Sequence, residues 1–496
     1  MVFGEDSYVK KIERFTILFI MLSLPFVCIP LSWRFPVLGS VLFYYPIFVI
    51  TILFLVFQKK DCQNFFLKKY ILIGAIWGVL TLVNGILIYP YYGDLNIQEG
   101  RLFRIIQYCS FIDINSNLGK MFFMIIRSAK IFLLDFMCGP MIMYIVYNCF
   151  NCLDSREQYK TYRKFVLILI LVLMFFAIPE VLYYKFHWQF AREIMVIISG
   201  SIQDTSLKSL GWWPPLIWYP QLRSICTEPG LFGSLFGISV PFLLSYSLEY
   251  CNIITLFLYC YYNAIAIMAQ SRTAFCLLVI HCFTVLSGVF VFSKANKNFW
   301  KILLYLFLGV FLGFFNFDAI SNDAISNLEN VESYYYNTVE SVVDSKSRSN
   351  PSRLINLKRT INVGLDHCLL GVGTGLKDNY IAEKITVEDC EIQEIKAFYQ
   401  RVKEEGVLKS GFGNINQYAD WFVAQGLIGL IYYLLPVFYL FYIVLRNHMF
   451  REERYLILCS SIIASLASMM VGGCNPFFFM TIGLCLSIAV RDKYAS

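Results

Sequence analysis

Apolar runs of about eighteen residues or more recur from one end of this chain to the other. A run of that length spans the hydrocarbon core of a bilayer as a helix. Candidate spans fall at roughly 15–32, 37–57, 70–89, 131–150, 164–184, 229–248, 252–269, 273–292, 300–317, 418–445, 455–471 and 473–490, about twelve helices in all. The expected fold is therefore an all-α polytopic membrane protein. The composition agrees: 58% of the residues are apolar and 15% charged, against about 25% charged in soluble domains. The first run follows a basic start and reads as a true span rather than a cleaved signal.

The positive charges assign a side to each loop. Lys10, Lys11 and Arg14 precede the first span, and Lys59, Lys60, Lys68 and Lys69 fill the next loop on the same side. Arg156, Lys160, Arg163 and Lys164 follow, then Lys294, Lys297 and Lys301, then Arg446, Arg451 and Arg454, with Arg491 and Lys493 last. If the spans alternate, all of these share one side, which the positive-inside rule makes cytoplasmic, with both termini. The net charge of +7 thus follows membrane topology and gives no reason to expect nucleic acid. The partner it implies is the lipid bilayer.

The opposite face carries two outer loops, 90–130 and 185–228, and one larger segment, 318–417. The chain divides accordingly into residues 1–317 with nine spans, the large loop 318–417, and residues 418–496 with three spans. Within the large loop, Asn350 and Pro351 suit a helix start, after which Leu354, Leu357, Ile361 and Leu365 share one helical face. A second helix is expected over 387–405, with Ile392, Ile395, Phe398 and Val402 as its apolar stripe, a capping box from Thr386 to Asp389 and a stop at Gly406. The sixteen cysteines are scattered, and the close pair Cys149 and Cys152 lacks the second pair that a zinc site needs.

Four features on the outer face carry chemistry. Arg223 precedes Glu228-Pro229-Gly230 at the start of the 229–248 span, where Pro229 suits the first turn and Glu228 the positive end of the helix dipole. Ser271-Arg272 opens the 273–292 span. Arg353 lies ahead of the turn Leu370-Gly371-Val372-Gly373. Asn416-Gln417-Tyr418 leads into Gly426-Leu427-Ile428-Gly429. Each has a plainer reading as an interfacial anchor, a cap or an ordinary turn. Together, three arginines beside spans on one face suggest capture of a phosphorylated ligand, because guanidinium forks match phosphate oxygens bidentately. Backbone N–H groups of Gly371 and Gly373 would then approach the anion. No outer Asp-x-Asp or His-rich group presents a metal or cofactor site.

The order of these pieces, over roughly 223–430, resembles the O-antigen polymerase and O-antigen ligase superfamily of bacterial membrane glycosyltransferases. The resemblance implies a GT-C-like architecture. It also implies an inner-membrane location with the active site facing the periplasm, and a donor carried on undecaprenyl diphosphate. It places catalytic roles on Arg223, Glu228, Arg272 and Arg353, and substrate-binding roles on Gly371, Gly373, Asn416 and Tyr418. The ligases carry a histidine directly before the Asn of the Asn-x-Tyr segment; here that position is Ile415. Cys368 stands where the family commonly has proline. Of the four histidines, His187 and His367 fall outside, His281 in a span and His448 inside. The missing ligase histidine favours the polymerase branch, whose substrates are lipid-linked oligosaccharide repeat units and whose expected partners are a chain-length regulator and an upstream flippase. A ligase-type transferase and a transporter of lipid-linked glycans are the alternatives. The single outsized outer loop and the lack of internal repeats count against a transporter.

Overall fold

The computed structural model describes residues 3–35, 38–57, 65–95, 97, 116–204, 221–292, 299–318, 350–408, 411–413, 416–449, 452–472 and 476–495. Each expected apolar stretch contains a helix: α1 (Phe3–Ser23), α2 (Tyr44–Phe57), α3 (Phe65–Ile88), α4 (Asn117–Phe136), α5 (Ile142–Phe150), α6 (Ser155–Phe186), α8 (Pro229–Tyr250), α9 (Ile253–Met268), α10 (Arg272–Phe292), α11 (Phe299–Asp318), α15 (Gln417–Arg446), α16 (Glu453–Ser468) and α17 (Pro476–Ala495). Between these lie α7 (Gln189–Ile202), α12 (Asn350–Asp366), α13 (Lys377–Lys384) and α14 (Gln393–Glu405). The described residues contain no strand. Five helices among them combine the length and hydropathy to cross a membrane: Phe66–Ile88, Asn117–Phe150, Ser155–Phe186, Pro229–Tyr250 and Gln417–Arg446. The chain is an all-α polytopic membrane protein.

Several boundaries differ from the sequence reading, each for a local reason. The fourth span does not begin at 131. The helix starts at Asn117, capped by Ser116, whose Oγ accepts the Gly119 N–H at 3.0 Å. It continues because Phe123, Met124 and Phe132 bury one face. It then passes through a π turn, Met137–Met141, where Pro140 lacks an N–H donor and Gly139 leaves helical geometry. The 185–228 loop contains α7, which packs on α6, while 205–220, with Trp212, Trp213 and Trp218, lies outside the described residues. The 418–445 span is broken at Gly426, whose φ of 71° suits glycine.

A continuous core joins α1, α2, α5, α6, α8, α9, α15, α16 and α17. Large apolar side chains such as Leu55, Ile76, Leu87, Phe283 and Phe307 stay on the outside, as a lipid-facing surface demands. The contact that matters most for the site is α8 against α10. A Cβ on Gly233 would come within 2.6 Å of the Ala274 nitrogen, and one on Gly237 within 2.5 Å of the Leu277 Cβ. This Gly-x-x-x-Gly face lets the two backbones touch and brings their N-terminal ends together.

The described part of the large loop has a small core of its own. Val363, Val372, Leu376, Tyr380 and Val402 pack with Ile86, Phe123 and Val423, which come from α3, α4 and α15. The Thr386–Asp389 box forms reciprocally, with the Thr386 N–H donating to Asp389 Oδ2 at 2.9 Å and the Asp389 N–H to Thr386 Oγ1 at 3.3 Å. The second helix begins later than expected, at Gln393, and ends at Gly406. The apolar face of α12 is the larger surprise. Ser352, Asn356, Thr360, Val363 and Gly364 are the buried positions, while Leu354 and Leu365 are 58% and 61% exposed. Small residues let α12 lie close on α15, where the side chain of Phe422 leaves no room for a Cβ at Gly364.

Candidate active site

Three helices start around one cavity. Glu228 is the residue before α8, with Pro229 in the first helical position. Arg272 is the first residue of α10, and Arg353 lies in the first turn of α12. Glu228, Arg272 and Arg353 all line this cavity of about 690 Å³, together with Gln221, Gln270 and Ser468. Its volume falls in the usual range for small-ligand sites, about 300–1,000 Å³. Leu354 and Leu357, the outward apolar face of α12, and Met470 and Val471, at the end of α16, form an apolar wall.

The electrostatics favour an anion. The N-terminal ends of helices carry unpaired N–H groups and partial positive charge, yet two of these ends also hold an arginine. A cation there is unfavourable unless negative charge is nearby. Glu228 supplies part of it. Its side chain makes no capping bond to its own helix and interacts electrostatically with Arg353 and Arg223. Glu228 is open to water yet surrounded by protein on the cavity wall. That partial desolvation pushes its carboxyl above the ordinary glutamate range, while Arg353 and Arg223 pull it back. Arg272 donates through Nη1 to Asn350 Oδ1, which ties the start of α10 to the start of α12.

Arg223 does not open onto the cavity. It is 7% exposed and sits behind Glu228. Its backbone N–H donates to Glu180 Oε2 at 3.0 Å, and the Ser224 N–H donates to the same oxygen at 2.7 Å. Its Nη1 donates to the Thr227 carbonyl, and its Nη2 is buried without a hydrogen-bond partner among the described residues. Burial depresses the Arg223 pKa and Glu180 opposes the shift, but a guanidinium stays protonated. The loop that carries it is strained at Ser224, with φ of 55°, and the turn ahead of α10 is strained at Gln270, with φ of 46°. Strain of this kind costs on the order of 1–3 kcal/mol per residue and concentrates at functional sites.

Glu180 was missed by the sequence reading. Its signal was a lone acid inside the apolar run 164–184, and an ionisable group at membrane depth is a functional candidate by default.

The remaining expected site residues lie elsewhere. The Gly371 N–H donates to the His367 carbonyl at 2.8 Å and the Gly373 N–H to the Ala424 carbonyl at 3.0 Å. Those donors are therefore consumed by backbone, and the turn is a clasp on the break in α15. The Leu427 N–H completes it by donating to the Cys368 carbonyl at 2.8 Å. Asn416 caps α15, accepting the Ala419 N–H at 3.1 Å and donating through Nδ2 to the Met470 carbonyl at 3.1 Å. Tyr418 donates its hydroxyl to the Leu466 carbonyl at 2.7 Å. Both residues hold the end of α16 that forms the cavity wall. Asn414 and Ile415, the ligase-histidine position, lie outside the described residues. His367 packs edge-on against Tyr380 with ring centroids 5.3 Å apart and does not line the cavity. Among the described residues no cluster of three His, Cys, Asp or Glu side chains is placed to hold a metal.

No curated protein and no solved structure matches the chain. Residues 255–434 match the family model described as O-antigen ligase. That segment contains Arg272, Arg353, the clasp turn and the α15 cap, while Arg223 and Glu228 precede it. The family is a glycosyltransferase-like enzyme superfamily of polysaccharide assembly, and the match over this segment supports the O-antigen ligase/polymerase superfamily.

Proposed function

We propose that the protein is a polymerase of surface-polysaccharide repeat units, working in the bacterial inner membrane with its cavity facing the periplasm. The observation that carries this reading is the meeting of three helix N-termini and two arginines, Arg272 and Arg353, around one cavity. In the proposed reaction, the bond between the anomeric carbon of the growing glycan and its undecaprenyl diphosphate carrier breaks. The electron pair leaves with the diphosphate. A hydroxyl at the non-reducing end of a new lipid-linked repeat unit forms the new glycosidic bond and releases its proton.

Arg272 and Arg353 would bind the diphosphate bidentately and stabilise the charge that grows as it departs. Glu228 would orient Arg353, with Arg223 fixed behind it. Among the described residues Glu228 is the one acid on the cavity lining, and a bound diphosphate would add negative charge beside the two arginines. A chain-length regulator is the expected partner.

The matched family is described as O-antigen ligase, which favours a second reading: transfer of the finished chain to a lipid A-core acceptor. The surface polysaccharide of a deletion strain separates the two on a gel. Single-repeat product without a ladder supports polymerase. Loss of all capped product, together with transfer to lipid A-core by the purified protein, supports ligase. Lipid-linked units trapped on the cytoplasmic side would sink both in favour of a transporter.

A further inference from the structure

A second cavity lies at the other end of the bundle. Glu228 precedes α8, whereas Tyr246, Glu249 and Tyr250 at the C-terminal end of that helix line the second cavity with Lys160, Arg163 and Lys164 of α6. The 22 residues of α8 place the two sites about 30 Å apart at 1.5 Å per residue. The second cavity has a volume of about 540 Å³.

Its cations are not equivalent. Arg163 is buried and fixed: it pairs with Glu249, donates to Ser245 Oγ at 3.1 Å and lies against the rings of Tyr159 and Tyr246. Lys160 and Lys164 stand one helical turn apart, exposed, with no hydrogen bond or ion pair among the described residues. Among the described residues Glu249 is the one acid on the lining and Glu453 interacts with Arg163 from beside it, so three cations outnumber the acids and the mouth is net positive. A topology signal needs basic residues in the loop and nothing more. It does not need two unpaired lysines aimed at a cavity.

The cavity opens into an apolar groove between α6 and α9. Ile168, Leu171, Met174 and Leu258 belong to both. The groove continues past Phe175, Phe257 and Tyr261, has a volume of about 510 Å³ and reaches Ile178. From Leu167 to Ile178 the rise along α6 is about 16 Å, close to the roughly 15 Å depth of one leaflet.

We propose that the basic mouth binds the phosphate of an anionic diacyl phospholipid and that the groove holds one of its acyl chains. The charge complementarity and the one-leaflet depth select this occupant. The site is separate from the glycan cavity and does not depend on the transferase reading.

The test is binding. The full-length protein in phosphatidylcholine nanodiscs is titrated with dioleoyl phosphatidylglycerol, and bound lipid is counted by native mass spectrometry. Wild type is expected to retain phosphatidylglycerol over phosphatidylcholine. Each lysine near an anionic lipid contributes about fivefold, so Lys160→Gln with Lys164→Gln is expected to weaken retention about thirtyfold. Leu258→Trp, which fills the groove and keeps the charges, is expected to lower it as well. Lys68→Gln with Lys69→Gln removes equal charge from the start of α3 and is expected to leave it unchanged. Equal retention of both lipids, equal loss in the two lysine pairs, or displacement by equimolar inorganic phosphate would overturn the assignment.

Discussion

Arg353→Ala isolates the chemistry of the cavity from its stability. Arg353 is exposed on α12, and Glu228 interacts with it electrostatically across the cavity. Removing an exposed side chain of this kind changes folding stability by no more than about 0.5 kcal/mol. Removing a donor that acts in the transition state costs on the order of 3 kcal/mol, or about a hundredfold in rate. Arg223→Ala is the contrasting variant. That guanidinium is buried, and its loss leaves the Glu180 carboxylate without its counter-charge, a change worth roughly 3 kcal/mol of stability. The assay pairs polymer-ladder synthesis from lipid-linked repeat units with thermal unfolding of the same purified protein. Arg353→Ala is expected to lose polymer with unchanged melting, and Arg223→Ala to lose both. Arg353→Lys keeps the charge but not the planar fork and is expected to fall between wild type and Ala. Arg348→Ala, at a position outside the described residues, serves as the charge control and is expected to stay near wild type. A wild-type ladder from well-folded Arg353→Ala would refute the role of that arginine in the cavity. Melting loss equal to that of Arg223→Ala would make Arg353 structural.

The pH profile is expected to carry an acid limb from Glu228. Its carboxyl is raised above the ordinary value of about 4.3, so the carboxylate forms only at higher pH and activity falls off earlier on acidification. Arg353→Ala removes a charge that pulls it down and should move the limb further up, while Glu228→Gln should abolish the limb. Gly233→Ala would force the backbones of α8 and α10 apart at a 2.6 Å approach; about 1–3 kcal/mol of stability should be lost, with polymer yield falling as Glu228 and Arg272 separate. His367→Ala is expected to keep most polymer synthesis, since His367 packs on Tyr380 away from the cavity, and complete loss in well-expressed protein would restore a histidine base. Membrane-impermeant thiol labelling from outside should reach the half-buried Cys390 once other accessible cysteines are replaced. A cysteine placed at Asn447 should stay unlabelled, and the reverse pattern would invert the topology.

The helices themselves were legible in the sequence, because hydropathy over about eighteen residues is a bilayer requirement that each run meets by itself. Glu228-Pro229 and Ser271-Arg272 were legible for a similar reason: a residue at a helix end is placed by its own helix. Other features depend on what a segment packs against. The apolar stripe of α12 predicted a buried face, yet Leu354 and Leu357 line the cavity because small residues on the opposite side let α12 approach α15. The Gly371–Gly373 turn suggested an anion cradle, but the Gly371 N–H meets the His367 carbonyl and the Gly373 N–H meets the Ala424 carbonyl beside the break at Gly426. Glu180 carries no motif, and its partners are backbone N–H groups more than forty residues away in sequence.

The sequence alone thus determined a helical membrane protein, the starts of α8 and α10 and the charges placed at those starts, all of which follow from short-range hydropathy and capping. Which charges meet was decided by tertiary structure. Gly233 and Gly237 let α8 and α10 touch, Asn350 ties α12 to α10, and Asn416 and Tyr418 fix the end of α16. Those contacts put Arg272, Arg353 and Glu228 around one cavity and turn Arg223 inward to Glu180. Convergence of that kind depends on distances between helix backbones, and local sequence does not encode them.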